Sequence, residues 1–192
     1  MICHKYKVIF IHQRKCAGGA VNKMFEDDDA EVAPYQDGIL DPLWRAGDPY
    51  IENYLKFTVV RNPWARFVSA WRYLERYRDL DIKYVLQNLP RSDGDKQERH
   101  DYRHITRTQS DLIVSDTGLC VVDEVIRFEN LEAGLSRVFE MIGKPWRSPP
   151  KRNVGAKVVC PEQYRHEFYD QECCDLFQER FGHDIARLGY DF

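Results

Sequence analysis

Short apolar runs alternate along the chain with segments whose apolar residues repeat at helical spacing. The runs KYKVIFIH, LKFTVV and LCVVDEVIRF, at residues 5–12, 55–60 and 119–128, are rich in Val, Ile and Phe, and each predicts a buried strand. A helical segment follows each run. Because strands that alternate with helices build a parallel sheet covered on both faces, the pattern predicts an α/β fold, formed as a single domain over residues 1–192.

The segment after the second run predicts a strong helix over residues 61–80. Asn62 is a favourable N-cap, and Pro63 is a favourable first helical residue. The apolar residues of the segment share one helical face; they are Trp64, Phe67, Val68, Trp71 and Leu74.

The rest of the chain predicts other helices and long connections. Four further helices are predicted. The first follows the first run and ends near residues 27–29, and the second lies near residues 82–89. The third runs from Asn130 to Gly143, and the fourth runs from Pro161 to near Gly182. The acidic residues 27–29 are expected at the solvated surface. Residues 30–54 lack a sustained period and predict a long connection, and the polar residues 90–109 predict a surface loop.

Composition limits the class of protein. The 192 residues carry a formal net charge of -3, so a protein that grips bulk nucleic acid through a basic surface is disfavoured, and any anion site must be local. The apolar run before His12 is too short for a secretory signal or a membrane span. A cytoplasmic protein without nucleic-acid or membrane partners is predicted. The six cysteines show neither a C-x-x-C pair nor zinc spacing, which predicts free thiols.

The end of the first predicted strand leads into the segment HQRKCAGGAV at residues 12–21, which contains Lys15, Gly18 and Gly19. In a glycine-containing turn before a helix, backbone N–H groups and the helix dipole favour a bound anion. The loop is not a Walker A motif, because Lys15 precedes the glycines and neither Cys16 nor Ala20 offers a hydroxyl to magnesium. The loop therefore predicts an anion site, and it disfavours a magnesium-dependent nucleotide hydrolase as the class of protein. The alternative is a plain tight turn with a solvated lysine.

The second strand exit predicts another anion site. Arg61 stands where LKFTVV ends, and Ser69 falls within about 20° of Asn62 around the helix, away from the apolar face. An arginine fork and a hydroxyl beside a helix start suit a phosphate. Together with the Lys15 loop, they predict a nucleoside with phosphates at both ends. An ordinary surface ion pair is the alternative for Arg61.

These motifs resemble those of sulfotransferases that use 3′-phosphoadenosine 5′-phosphosulfate, in particular the branch of carbohydrate O-sulfotransferases and their small bacterial relatives. The family loop H-x-P-K-T-x-G-T-S corresponds to HQRKCAGGA at residues 12–20. The family motif R-[ND]-P-x-x-R-x-x-S is matched by Arg61, Asn62, Pro63, Arg66 and Ser69. A strand ending in RFENL at residues 127–131 and a closing G-Y-x-F at residues 189–192 also match.

The resemblance implies a P-loop-like, three-layer α/β/α fold with a central parallel sheet. It implies transfer of a sulfuryl group from this cofactor to an acceptor hydroxyl, with adenosine 3′,5′-bisphosphate as product and no metal. The residues it assigns to the 5′-phosphosulfate are Arg14, Lys15, Cys16, Ala17, Gly18, Gly19, Ala20 and Val21. It assigns the 3′-phosphate to Arg61 and Ser69, and a basic segment over the cofactor to Arg152 and Asn153. Where the family has Pro, Thr and Thr-Ser, this chain has Arg14, Cys16 and Gly19-Ala20, so binding leans on backbone amides and Lys15.

The reaction also needs groups that handle charge and a proton. Lys15 is the candidate for stabilising the charge that develops during an in-line displacement. A His or a carboxylate within hydrogen-bond reach of the acceptor hydroxyl usually takes its proton. His12 and His104 are candidates for this base, together with four carboxylates between the motifs: Asp37, Asp41, Asp48 and Glu52.

Two other functions remain open at this point. The chain fits a non-catalytic nucleotide-binding relative that kept the anion sites, or a nucleotide kinase of P-loop descent. The acceptor is a small molecule or a glycan. Exposed basic clusters would suit an acidic glycan, although arginines on helix faces and loops are usually plain solvated surface; the clusters are Arg66, Arg72, Arg76 and Arg78, and Arg99, Arg103 and Arg107.

Overall fold

The structure is a computed structural model, and it describes residues 1–28, 30, 53–114, 118–150 and 170–192. The described residues form two compact units. The first is drawn from Met1–Val60 and Asp111–Asn153, and the second from Arg61–Ser110 and Val154–Phe192. Each unit has its own apolar core. The single domain expected over residues 1–192 stays a prediction.

A mixed sheet of four strands is the centre of the first unit. The strands are β1 Ile2–Cys3, β2 Val8–Ile11, β3 Leu55–Val60 and β4 Glu124–Arg127, and they lie in that order. The pairs β2–β3 and β3–β4 are parallel, whereas β1 pairs with β2 in the antiparallel direction. The α/β class is therefore confirmed, with a mostly parallel sheet. A two-residue strand such as β1 has no periodicity that could predict it.

Apolar side chains cover β2 on both faces, as parallel strands require. Phe10 packs against Phe57 of β3 on one face, with ring centroids 5.0 Å apart. Ile9 and Ile11 belong to the core cluster of the other face, with Tyr54. The burial of alternate residues in opposite clusters explains the unbroken apolar run at this point of the sequence.

Six α-helices occur in the part of the chain that the structure describes. They are α1 Gly18–Lys23, α2 Pro63–Tyr73, α3 Ile82–Gln87, α4 Lys96–Asp101, α5 Leu131–Met141 and α6 Gln171–Leu188. Of these, α1 and α5 lie in the first unit, where Phe25 meets Phe139 at 5.4 Å between ring centroids. None of the helices in the described ranges has the length and apolar composition needed to cross a membrane.

In the second unit, α2 packs against α6. The Asn62 side chain accepts a hydrogen bond from the Ala65 N–H at 3.2 Å, which confirms the predicted N-cap. Trp64 stacks on Phe177 of α6, with ring centroids 5.2 Å apart, and the whole predicted apolar face is buried. The helix ends at Tyr73, short of the predicted residue 80, because Leu74 adopts an extended conformation.

Several predicted boundaries are wrong. The third strand was expected over residues 119–128 and covers only β4, and Leu119 is exposed. α1 begins at the glycines and ends at Lys23 instead of following them to residue 27. The last helix continues through Gly182 to Leu188, where Gly189 ends it in a left-handed conformation with φ of 62°. Residues 161–169, where this helix was expected to begin, lie outside the described residues.

The predicted surface loop at residues 90–109 is largely helical. The Asp95 side chain caps α4 by accepting from the Glu98 N–H at 2.8 Å, and a π-helical turn follows at Tyr102–Thr106. Asp101, His104 and Gln109 are buried here. The helices of this segment could not be predicted from an apolar stripe, because hydrogen-bonded polar side chains fill its buried positions.

Asp28 is buried, which contradicts its expected place at the solvated surface. Its carboxylate pairs with Lys5 at 2.8 Å and with Lys144. The Lys144 ammonium also lies 4.8 Å from the Tyr6 ring centroid and 5.2 Å from that of Phe25. A buried charge pair enclosed by aromatic rings therefore links the start of the chain to the segment after α5.

Five cysteines are free thiols, as predicted: Cys3, Cys16, Cys120, Cys173 and Cys174. Cys160 lies outside the described residues.

Candidate functional site

The Lys15 loop connects β2 to α1. Lys15 and Ala17 have φ of 66° and 59°, a left-handed conformation that costs free energy in residues with a side chain and is often found at functional sites. α1 then begins at Gly18 without a side-chain cap. The first N–H groups of a helix have no acceptor within it, so the loop brings an ammonium group and helix-opening amides to one turn.

Gly18 is required by its contact with His12. A Cβ atom on Gly18 would lie 1.9 Å from Cδ2 and from Nε2 of the His12 ring, whereas one on Gly19 would meet nothing within 4 Å. The His12 ring also stacks on Phe10, with centroids 5.8 Å apart and planes 19° apart. The His12 ring is thus held between the strand and the loop, and Gly18 is the residue that makes room for it.

The remaining loop side chains divide between core and surface. Cys16 is completely buried in the core of the first unit, and its thiol donates to the Arg14 carbonyl at 3.4 Å. Arg14 and Lys15 are half-buried. Both cationic residues of the loop keep part of their surface exposed, although Nε of Arg14 is buried, and Cys16 lies in the core.

Arg61 follows the last residue of β3, and Gln109 fixes its backbone. The Arg61 N–H donates to Oε1 of Gln109 at 2.8 Å, and Nε2 of Gln109 donates to the Arg61 carbonyl at 2.8 Å. Ser69 is half-buried, whereas the residues on either side of it in α2 are buried. This exposure agrees with its predicted place away from the apolar face.

A buried carboxylate on α6 supports this arrangement. Asp184 has no exposed surface, and it accepts hydrogen bonds from the backbone N–H groups of Gln109 at 3.1 Å and Ser110 at 2.7 Å. A polar residue in a helix of charged residues gives no sequence signal of such a role. Only the burial of Asp184 identifies it.

Arg66, the second arginine of the motif, has a structural role. It is buried, and its guanidinium donates to the backbone carbonyls of His104 and Arg107. Its expected place in an exposed basic cluster is therefore wrong. The motif spacing places Arg66 one turn after Asn62, where it holds the π-helical segment.

His104 lies in that π-helical segment and is buried. Its Nδ1 is 2.9 Å from the His100 carbonyl, to which it donates, because a carbonyl only accepts. The ring stacks on Tyr73 at 5.2 Å between centroids. His104 as the base stays a prediction, as does His12. The other expected site residues, namely Asp37, Asp41, Asp48, Glu52, Arg152 and Asn153, lie outside the described residues.

The sheet brings the two strand exits to one edge. β2 and β3 are parallel, with Ile11 opposite Thr58, and the Thr58 hydroxyl donates to the Ile11 carbonyl at 2.8 Å. Ligands of parallel sheets bind beyond the carboxyl ends of the strands. Both motifs follow strand ends at that edge in the sequence. Within the described residues, no group of three or more His, Cys, Asp or Glu side chains is placed to hold a metal ion.

A family model described as "Sulfotransferase family" matches residues 1–145, which include both motifs. The chain belongs to the sulfotransferase family. This membership supports sulfuryl transfer as the general chemistry of the domain. An uncharacterised protein of Archaeoglobus fulgidus is 27% identical to this sulfotransferase-family chain over 121 residues, which are 60% of the chain and 92% of that protein. No solved structure matches the chain.

Proposed function

We propose that the chain transfers a sulfuryl group from 3′-phosphoadenosine 5′-phosphosulfate to a hydroxyl group of a small-molecule or glycan acceptor. The observation that carries the proposal is the Lys15 loop, which follows a central parallel strand in a chain of the sulfotransferase family. A carbohydrate acceptor fits the branch that the motifs resemble.

The loop residues fit a 5′-phosphosulfate. Lys15 supplies a mobile positive charge, and the amides of Gly18 and Gly19 open a helix, where donors lack partners within the helix. The proposed 5′ site comprises Arg14, Lys15, Cys16, Ala17, Gly18, Gly19, Ala20 and Val21. In this site Cys16 acts through its backbone, because its thiol is buried and donates to Arg14.

The second motif fits the 3′-phosphate. The Arg61 guanidinium can make paired, charge-assisted hydrogen bonds to phosphate oxygens, and the Ser69 hydroxyl adds a donor. Gln109 keeps the Arg61 backbone in place for this contact. Arg152 and Asn153 are proposed to close over the nucleotide.

The chain's own groups would act mainly through charge and position. The nucleotide, when bound, supplies an activated sulfuryl group on a phosphate leaving group. Lys15 would stabilise negative charge that develops on the transferred group and the leaving oxygen, and the helix-opening amides would hold the phosphate in line. His12 would keep the loop in shape through its contact with Gly18. Neither Cys16 nor Ala20 offers a hydroxyl to a magnesium ion.

Calorimetric binding of adenosine 3′,5′-bisphosphate tests the nucleotide site. We expect Arg61→Ala to weaken binding by roughly 10- to 100-fold, because hydrogen bonds to charged groups are worth about 1.5–3 kcal/mol. Ser69→Ala should weaken binding less. Arg78→Ala, an exposed arginine paired with Asp79, and Ser136→Ala, a half-buried helix serine, are matched controls. Unchanged affinity in both Arg61→Ala and Ser69→Ala would exclude this site.

Transfer of ³⁵S from the labelled donor to a panel of glycans and phenols tests the activity. Labelled acceptor would support the proposal. Binding of the bisphosphate without transfer would favour a non-catalytic nucleotide-binding protein. Magnesium-dependent phosphate transfer from ATP would favour a nucleotide kinase.

A further inference from the structure

A cleft with a volume of about 470 Å³ lies beside α4 in the second unit. It is lined by the end of α2, by the residues that follow α2, and by α4. A π-helical turn, a conformation that is frequent at functional sites, follows directly after α4. The polar side chains of the lining are Tyr73, Glu75, Arg76, Gln97, His100 and Asp101. None of them belongs to the two sequence motifs.

Asp101 is a buried carboxylate whose two oxygens differ in their partners. Its side chain is 1% exposed. Oδ1 accepts hydrogen bonds from Nε2 of Gln97 at 2.9 Å and from Nδ1 of His100 at 3.0 Å. Oδ2 is buried and has no hydrogen bond among the described residues. A buried carboxylate oxygen without a donor costs free energy, so this atom points to a ligand that donates to it.

The side chains around Asp101 offer further acceptors to the cleft. Gln97 uses its Nε2 for Asp101, which leaves its carbonyl oxygen as an acceptor. A carboxylate only accepts, so Nδ1 of His100 carries the hydrogen, and in the neutral ring Nε2 keeps a lone pair. The His100 side chain is 43% exposed, and Glu75, which is exposed, adds a second carboxylate. The cleft is therefore rich in acceptors and complementary to a donor with positive charge.

Arg76 compensates the charge of Asp101 only in part. Its Nη1 lies 3.9 Å from Oδ2, which is beyond hydrogen-bond distance, and its side chain is 57% exposed. An ion pair of this kind beside water contributes little free energy. Because Oδ2 is buried, a ligand reaches it only when a neighbouring side chain moves aside. Arg76 can move aside at little cost.

We propose that this cleft is a binding site for a primary ammonium group, carried by a small amine with a short aliphatic body. An ammonium group has three N–H donors and no acceptor, which matches the carboxylate, amide and imidazole acceptors of the cleft. It displaces Arg76 and donates to Oδ2 of Asp101, and this bond is strong because both groups are charged. The aliphatic body packs on Tyr73, which is 53% exposed.

NMR titration of the full chain with n-butylamine at about pH 8, where an alkylamine carries its charge, tests the site. We expect saturable shifts of the amide signals of residues 73–76 and 97–101, with a Kd in the millimolar range. 1-Butanol has the same aliphatic body without the charge, and KCl supplies a cation without N–H donors. At equal concentration and ionic strength, neither of these two should shift the same signals.

Two substitutions should change the affinity for n-butylamine in opposite directions. Asp101→Asn removes the charge, and we expect it to weaken binding by about 10- to 100-fold. Arg76→Gln removes a like charge beside the bound ammonium, and it should strengthen binding by about fivefold. Arg78→Gln, at an exposed arginine paired with Asp79, is the control and should bind as the wild type does. A variant that merely loosens the fold would not bind more tightly.

The outcomes decide the proposal even if Asp101→Asn does not fold, because Arg76 is an exposed residue. Saturable shifts that are tighter in Arg76→Gln than in the wild type and Arg78→Gln would support the site. Absence of saturable shifts in both the wild type and Arg76→Gln would overturn it. Equal shifts with KCl or 1-butanol would overturn the assignment to an ammonium group. Since no residue of the cleft is assigned to the nucleotide, the result does not depend on the proposed sulfuryl transfer.

Discussion

The side-chain amide of Gln109 forms two hydrogen bonds with the backbone of Arg61, both 2.8 Å long. Its Oε1 accepts from the Arg61 N–H, and its Nε2 donates to the Arg61 carbonyl. Gln109 is fully buried, and its own N–H donates to Asp184. The position of the arginine that begins the second motif is therefore fixed by a residue 48 positions later in the chain.

Replacing Gln109 should affect both stability and nucleotide binding. Gln109→Leu keeps the volume but leaves backbone groups of Arg61 without partners, and we expect a loss of about 2–4 kcal/mol in the free energy of unfolding. The affinity for adenosine 3′,5′-bisphosphate should also fall. Urea unfolding and calorimetry measure the two effects. Gln178→Leu, at an exposed site on α6, is the control, and equal stabilities of the two variants would contradict the network.

Lys15→Ala should lower turnover more than ground-state binding. The ammonium group of Lys15 meets charge that grows during transfer, so its loss raises the activation barrier more than it weakens the bound nucleotide. Single-turnover rates with the sulfated donor and calorimetry with the bisphosphate measure the two quantities. Equal losses in rate and affinity would show that Lys15 only binds.

The two loop glycines should differ in their tolerance of alanine. In Gly18→Ala the new Cβ would overlap the His12 ring, and we expect a loss of about 1–3 kcal/mol in the free energy of unfolding. Gly19→Ala adds a helix-favouring residue in open space, and it should be neutral or stabilising by up to about 1 kcal/mol. Denaturant unfolding of both variants tests this. If Gly18→Ala were as stable as Gly19→Ala, the contact with His12 would be wrong.

Asp28 should make stability depend on pH in the acid range. Burial alone raises the pKa of Asp28, but hydrogen bonds from Lys144 and Lys5 outweigh it and hold the pKa below its usual value. The stabilisation is therefore complete above the unfolded pKa of about 3.9, and it is lost as the pH falls through the lower folded-state pKa.

Asp28→Asn should remove this acid dependence and destabilise the protein by about 3 kcal/mol at neutral pH, because Lys144 stays buried without its counter-charge. Asp27→Asn, the same change at a largely exposed neighbour, is the control. Unfolding free energies measured between about pH 2 and pH 7 test both statements. A parallel pH profile in Asp28→Asn and the wild type would refute them.

Cys173 should resist alkylation in the folded protein. Burial, with a smaller effect of Asp170, raises the pKa of the Cys173 thiol to about 11, so the reactive thiolate is scarce at pH 8. Cys120 is exposed. Iodoacetamide treatment followed by peptide mass spectrometry should find Cys120 modified first and Cys173 last. In urea the two should react at similar rates, and an early reaction of folded Cys173 would contradict its burial.

The sequence predicted those parts of the fold that have regular apolar patterns. Residues 55–60 were expected as a strand and are β3, and Asn62 was expected as the cap that it proves to be. These features depend on local physics, namely periodicity and capping. The sulfotransferase family was predicted for a similar reason, because the residues of each motif lie close together in the sequence.

The polar parts of the second unit could not be predicted in this way. Gln109 and Asp184 are buried where they form hydrogen bonds with backbone groups distant in the sequence, and buried Asp101 accepts a hydrogen bond from the side chain of Gln97. Arg66 was expected at the surface because it is charged. Its guanidinium is instead buried and donates hydrogen bonds to the backbone carbonyls of His104 and Arg107. A buried polar residue and a solvated one have the same letter, and only tertiary contacts distinguish them.

The sheet order has a practical consequence for dissecting the protein. β3 lies between β2 and β4, and β4 arrives 64 residues after β3 ends, since Val60 and Glu124 are the boundaries. In a fragment truncated after Val60, the backbone N–H and C=O groups on one side of β3 would have no partner strand. This exposed edge would promote self-association of the fragment. Split-protein or fragment-expression studies should therefore keep both strands in one polypeptide.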